Sequence, residues 1–308
     1  DRGRISNPED KLRMPNFYFT PIEIEAITTA LLGFNSNKYS DVMLIENLVE
    51  DKNIFKGYSL IHQYNCQGCH IIDDFGGQIA DVIGTPEYSP PNLNSQGLKT
   101  QPDWLFSFFK NPITIRPNLQ VRMPSFTMLE DEDWNAIINA FQHMENHNLS
   151  FESEFIVDTK SKEYKAGQKL HEFGACNNCH FYGETKPIQG AQTWAPNLAM
   201  TKDRLRPEWV VEWMRDPQAI MPGTKMPAPY LPTEDILSVD GASAIWGEDL
   251  VDINGDVDQM LEGLTDYIYN INGKNDITDI VRNYFKVNGY NFDSQENEDE
   301  EDDWDDEW

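Results

Sequence analysis

Along this chain of 308 residues, apolar side chains recur at helical spacing in short runs, not at the alternating positions of half-buried strands. Gly57, Leu60, Ile61 and Tyr64 fall at i, i+3, i+4 and i+7 and define one face of a helix. Trp134, Ile137, Ile138 and Phe141 give the same face again, as do Leu264, Tyr267, Ile268 and Ile271. Ile27, Ala30, Leu31 and Phe34 repeat it near the N-terminus. Two further helices open on a proline and an aromatic residue, Pro102 with Trp104 and Leu105, then Pro207 with Trp209 and Val210. They stop before Asn111-Pro112 and Asp216-Pro217, because proline cannot continue a helix. The pattern predicts an all-α chain.

The predicted elements come in one order, twice. Gly57 and Gly167 each stand nine residues before a cysteine, Cys66 and Cys176. Downstream come Pro91-Asn92-Leu93 and Pro196-Asn197-Leu198, then the proline-led helix, then Arg122-Met123-Pro124 and Lys225-Met226-Pro227, then the closing helix. This order divides the chain into units at 41–150 and 151–272. The second unit carries an insertion at about 230–257, since 38 residues separate Met226 from Leu264 where 11 separate Met123 from Trp134. Asn7-Pro8, Arg13-Met14-Pro15 and the helix after them match only the second half of a unit. Residues 1–36 are therefore expected to be the tail of an upstream copy within a longer protein. Residues 273–308 are read as a docking segment followed by an acidic tail, with Trp304 and Trp308 as candidate anchors to a partner.

Charge narrows the partners. The net charge is -28, and eleven acidic residues with no basic one lie between Asp293 and Trp308. Such a chain repels nucleic acid and suits partners with basic docking patches. There is no apolar run near the ~20 residues that span a bilayer.

All four cysteines lie in Cys66-Gln67-Gly68-Cys69-His70 and Cys176-Asn177-Asn178-Cys179-His180. C-x-x-C-H is the attachment signature of c-type haem: both thiols add across vinyl groups, and the adjacent histidine is placed to ligate the iron. Two residues between the cysteines let one helical turn present both sulfurs to one porphyrin edge. A zinc site would want the two pairs roughly 15–20 residues apart, but here they start 110 apart. A thioredoxin-like pair would need a βαβ pattern, which is missing. Two covalent haem c groups are the expectation. That expectation implies an extracytoplasmic or periplasmic location, because c-type haem is attached there.

This layout resembles the class I cytochrome c family over residues 45–150 and 160–272, arranged as two tandem units. The resemblance implies proximal ligands His70 and His180 and distal ligands Met123 and Met226. It also implies that the Pro91 and Pro196 carbonyls orient the two histidines. Met226 is preferred over Met221 because Pro222 to Pro227 is similar to the family's ligand loop, and over Met128 stands Met123, which alone of the two precedes a proline. A neutral thioether favours ferrous iron and raises the potential relative to a second histidine.

Electron transfer is the function this implies, as a carrier or as the cytochrome subunit of a respiratory complex at a membrane. The alternative is a dihaem enzyme of peroxidase or thiosulfate dehydrogenase type, which needs one iron open to substrate. Two smaller features stay open at this stage. Asp252, Asn254, Asp256 and Asp258 alternate as oxygen donors and fit either a solvated turn with an N-cap or a calcium loop. His143 and His147 share a helix face and fit either exposed polar positions or a metal pair.

Overall fold

The computed structural model describes residues 19–20, 27, 52–84, 88–119, 122–145 and 155–289. Residues 1–52 and 53–308 form separate compact units. The expected half-unit at 1–36 lies almost wholly outside the described residues, as do His147 and the acidic tail with its two tryptophans.

The larger unit is mostly helical. In the first repeat, α1 (Lys52–Gln63), α2 (Pro102–Lys110) and α3 (Asp131–Met144) are the long elements. In the second they are α4 (Lys162–Gly174), α5 (Pro207–Arg215), α6 (Val257–Tyr269) and an added α7 (Thr278–Asn288). Both α2 and α5 start on proline, whose fixed φ suits the first turn. Each has an acidic residue in its first turn (Asp103, Glu208) and a basic one in its last (Lys110, Arg215), matching the helix dipole. Ser161 Oγ caps α4 by accepting from the Tyr164 N–H at 3.0 Å.

A short hairpin departs from the all-helical expectation. Strand β1 (Ile71–Ile72) pairs antiparallel with β2 (Phe75–Gly76), Ile71 opposite Gly76. Asp73 and Asp74 between them have φ of 54° and 60°, the signature of a tight primed turn that aspartate tolerates.

Glycine explains why the first and last long helices of each repeat can cross. A Cβ on Gly57 would lie 2.0 Å from the Ala136 carbonyl oxygen of α3. A Cβ on Gly167 would lie 1.9 Å from the Gly263 carbonyl oxygen of α6, and one on Gly263 would strike the Glu163 carbonyl. Backbone therefore meets backbone at each crossing. Around the first crossing, Leu60, Ile61, Leu105, Phe109, Trp134, Ile137, Ile138 and Phe141 form one buried core. Around the second, Leu170, Trp209, Met214, Met260, Leu261 and Leu264 form another.

These crossings correct the alignment of the closing helices. Ala136 and Gly263 are the equivalent residues, so Leu261, not Leu264, stands where Trp134 does. Ile271 lies beyond the end of α6 and does not extend its face. The insertion is also more structured than its acidic composition suggests. It folds into short helices at Glu234–Leu237, Ala242–Trp246 and Glu248–Ile253. Leu237, Leu250 and Ile253 from them are buried in the second core. Asp256 ends this segment by capping α6, accepting from the Gln259 N–H at 3.1 Å, while Asp258 pairs with Arg215 at 2.6 Å. Among the described residues no group of three His, Cys, Asp or Glu side chains is placed to hold a metal ion.

Helix α7 packs on the second repeat. Ile277, Val281 and Phe285 form a buried cluster with Phe181, Ala191 and Trp194. Asn197 Nδ2 donates to the Lys274 and Asn275 carbonyls at 2.8 and 3.1 Å and ties the connecting turn to the same place. Among the described residues no helix is long and apolar enough to cross a membrane.

Gly167→Ala should cost about 1–3 kcal/mol, as overpacking of a closed contact does, read as a fall in the urea midpoint. Asp266 on α6 supplies a pH prediction. Burial, then Glu262, Glu163 and Asp158, push its carboxyl up from 3.8 to about 6. Between those values the folded chain binds more protons than the unfolded one, so this group's contribution falls as pH rises through that window. Asp266→Asn should raise stability at pH 7 and flatten the decline between pH 3.8 and about 6, measured by denaturation across that range.

Candidate functional site

Each Cys-x-x-Cys-His motif sits at the end of its repeat's first helix and reverses the chain there. Asn65 and Ala175, the residues before the first cysteines, both adopt the left-handed conformation, with φ of 53° and 46°. Asparagine visits this region readily, and alanine does so at a cost. One helical turn follows, Cys66–Cys69 in the first repeat and Cys176–Asn178 in the second. It is closed by the histidine N–H donating to the first cysteine's carbonyl, at 2.9 Å in both (His70 to Cys66, His180 to Cys176).

The Pro-Asn-Leu turns then lie against the histidines. His70 Nδ1 donates to the Pro91 carbonyl at 2.8 Å, and His180 Nδ1 to the Pro196 carbonyl at 2.7 Å. A carbonyl can only accept, so the proton is on Nδ1 and the lone pair is on Nε2. Leu93 N–H donates to the Ile71 carbonyl at 2.8 Å, and Leu198 N–H to the Phe181 carbonyl at 2.9 Å. Two bonds thus stitch each turn to its motif. Burial holds both imidazoles below their ordinary pKa; the proline carbonyls oppose this, and Arg116 adds to it at His70. Neutral imidazole is the form that ligates a metal.

None of the four cysteines is in a disulfide; Cys69 is exposed and the others are half-buried. As thiols, Cys66 and Cys176 are pushed up by burial. Cys66 and Met123 both pack against the first core, and Cys176 and Met226 both against the second. The loop after Met123 is pinned by Phe126, which meets Tyr64 and Trp134 edge-on at 5.8 and 6.3 Å. Met226 is pinned directly: Trp213 Nε1 donates to its Sδ at 2.9 Å. The rivals sit elsewhere. Met128 is exposed, and Met221 ends the short Pro217–Ile220 helix with its N–H on the Pro217 carbonyl at 2.9 Å. Of the other histidines, His171 is buried and bonded to the Tyr182 hydroxyl, and His143 Nδ1 lies 3.5 Å from the Tyr58 hydroxyl.

Two sets of residues escaped the sequence reading. The first is Asn92 and Asn197, central in the two Pro-Asn-Leu turns. Asn92 Oδ1 accepts from Asn94 N–H at 2.8 Å; Asn197 Oδ1 accepts from Ala199 and Gly183 N–H at 3.1 and 2.9 Å. Their identity in both copies was the available signal. The second is a line of cations where the repeats meet. Thr100 and Leu205 form an antiparallel bridge, with Gln101 N–H donating to the Arg204 carbonyl (2.9 Å) and Arg206 N–H to the Lys99 carbonyl (3.0 Å). Lys99 Nζ lies 4.8 Å from the centre of the Trp209 ring, and the Arg204 guanidinium 5.4 Å from that of Trp104.

Comparison with protein families, characterised proteins and solved structures returned no match. The chemistry is therefore argued from the site. Paired thiols on one turn, a neutral imidazole with its lone pair fixed on Nε2, and a thioether on the same core are a donor set that a covalently attached porphyrin iron would use. A cofactor with carboxylate arms also needs countercharge. Arg204 Nε and Trp209 Nε1 are buried there without hydrogen-bond partners, which fits such arms.

Ala175→Gly should raise stability by up to about 1 kcal/mol, the relief of a left-handed alanine less the chain entropy glycine adds. Chemical denaturation beside Asn65→Ala, which should move the other way, checks it.

Proposed function

We propose that this chain transfers electrons through two covalent haem c groups, each ligated by histidine and methionine. Cys66, Cys69, Cys176 and Cys179 form the thioether links. His70 and His180 are the proximal ligands, and Met123 and Met226 the distal ones. Bound haem supplies a one-electron couple; the protein's part is to hold the ligands, exclude water and set the potential. The observation that carries this reading is the repeated frame of Nδ1–H on a proline carbonyl. It fixes the tautomer and ring orientation that a ligating histidine needs, and does so twice at the same step of two different sequences.

Pro91 and Pro196 act on the iron only through the imidazole. The half-buried methionines match the role of neutral axial ligands, because a thioether in an apolar core adds no charge to the site. A histidine and a methionine offered to each iron would leave no place for a substrate, which favours relay over catalysis. The acidic surface suits redox partners with basic docking patches, in an extracytoplasmic compartment such as the periplasm, where a respiratory complex is one setting.

The test is a full-chain preparation matured with haem. Intact mass should show two haem additions, and Cys176→Ser with Cys179→Ser should remove one. The reduced protein should not bind carbon monoxide, and Met226→Ala should open one iron to it. Met226→His should lower one potential and leave the other near its original value, read by redox titration. Unmodified thiols in the native protein would overturn the reading, and carbon monoxide binding by the unaltered protein would turn it toward a dihaem enzyme.

A further inference from the structure

The contact between the repeats holds an unusual charge arrangement for a chain of net charge -28. Lys99 is nine-tenths buried, and Arg204 and Arg116 stand close enough to it to suppress its ionisation. Burial, then the Arg204 and Arg116 guanidiniums, bring Lys99 down to about 7; burial, then Arg116, bring Arg204 to about 10. No carboxylate is paired with Lys99, Arg116 or Arg204 among the described residues. Trp209 is nine-tenths buried and its Nε1 has no partner; Arg204 is half-buried, and its buried Nε has none either. Burying like charges together with unsatisfied donors is costly unless an anion joins them.

The seam is also built on a half-turn. Lys99 and Arg204 hold equivalent places three residues before Pro102 and Pro207. Trp104 and Trp209 hold equivalent places two residues after them. Each cation lies over the tryptophan of the other repeat. The seam adjoins both candidate sites. Arg116 donates to the Ser89 carbonyl, two residues before the Pro91 that holds His70. Lys225, next to Met226, donates to the Tyr88 hydroxyl at 3.4 Å.

We propose that this seam is an anion site shared by the two repeats, taking carboxylate arms of both bound cofactors, with Arg204 serving the first repeat's group and Lys99 the second's. The inference rests on the haem reading above. Its distinctive content is the crossed supply: each repeat's redox centre depends on a cation that belongs to the other. A positive charge beside a haem carboxylate favours the reduced iron, so removing it should lower that iron's potential. Trp209 Nε1 and Arg204 Nε supply the directed hydrogen bonds, and Arg116 adds charge on the first repeat's side.

The experiment uses the full haem-loaded chain. A Met226→His background moves the second repeat's potential away, so the remaining methionine-ligated couple reports the first. In that background Arg204→Gln should shift the first repeat's reduction equilibrium about tenfold toward oxidised iron, ~59 mV for a one-electron couple. Arg204→Lys, which keeps the charge, should restore most of it. In a Met123→His background Lys99→Met should shift the second repeat's couple likewise. If Arg204→Gln does not accumulate with two haems, the Lys99→Met arm decides. A haem-loaded chain whose variants move only the couple of the repeat they belong to, or neither couple, overturns the shared site. Absence of covalent haem from the unaltered chain instead overturns the function proposed above, before any variant is made.

Discussion

His70 and His180 each commit one ring nitrogen to a proline carbonyl, the arrangement that metal-ligating histidines almost always share. Much of each repeat follows from that arrangement. The carbonyl must come from a turn, the turn must be held, and Leu93 and Leu198 hold it by bonding back to the residue after the histidine. The histidine must leave a helix at a sharp angle, so the chain turns left-handed at Asn65 and Ala175. That helix must reach the core beside the closing helix, which glycine allows by letting the two backbones touch. Proline serves as acceptor at no cost, because it has no N–H to satisfy on a turn already crowded with donors.

Charge is the second organising constraint. The surface is acidic, yet the contact between repeats gathers a buried Lys99 with half-buried Arg116 and Arg204. Aromatic faces soften part of the cost, since Trp209 and Trp104 offer their ring quadrupoles to Lys99 and Arg204. The seam thus separates the sign of charge presented to partners from the sign held inside. The field inside the seam is positive, whereas the field outside is negative.

The sequence carried the local chemistry well and the geometry unevenly. Helical faces around Gly57 and Trp134 were legible because their apolar spacing is regular, and the paired motifs announced where the candidate site lies. Pro91 and Pro196 came from resemblance to a family; spacing alone does not say which carbonyl meets an imidazole. The closing helix of the second repeat was misplaced by one turn, because Leu261, Leu264 and Ile268 all satisfy helical periodicity and only the Gly167–Gly263 crossing picks the register. The helices of the insertion were not legible, since its acidic residues outweigh the sparse Leu237, Leu250 and Ile253 that anchor it. The seam was invisible: Lys99 and Arg204 look like surface residues at the start of a helix, and nothing local tells that another segment of the chain will cover them.

The half-turn relation at that seam lets one kind of surface serve both sides. A contact that maps onto itself under a half-turn is the kind that two identical chains make with each other. Joining them end to end adds nothing to the contact except the certainty that the mate is always present. Within one chain neither half has to match itself, so the second can carry extra helices without spoiling the fit.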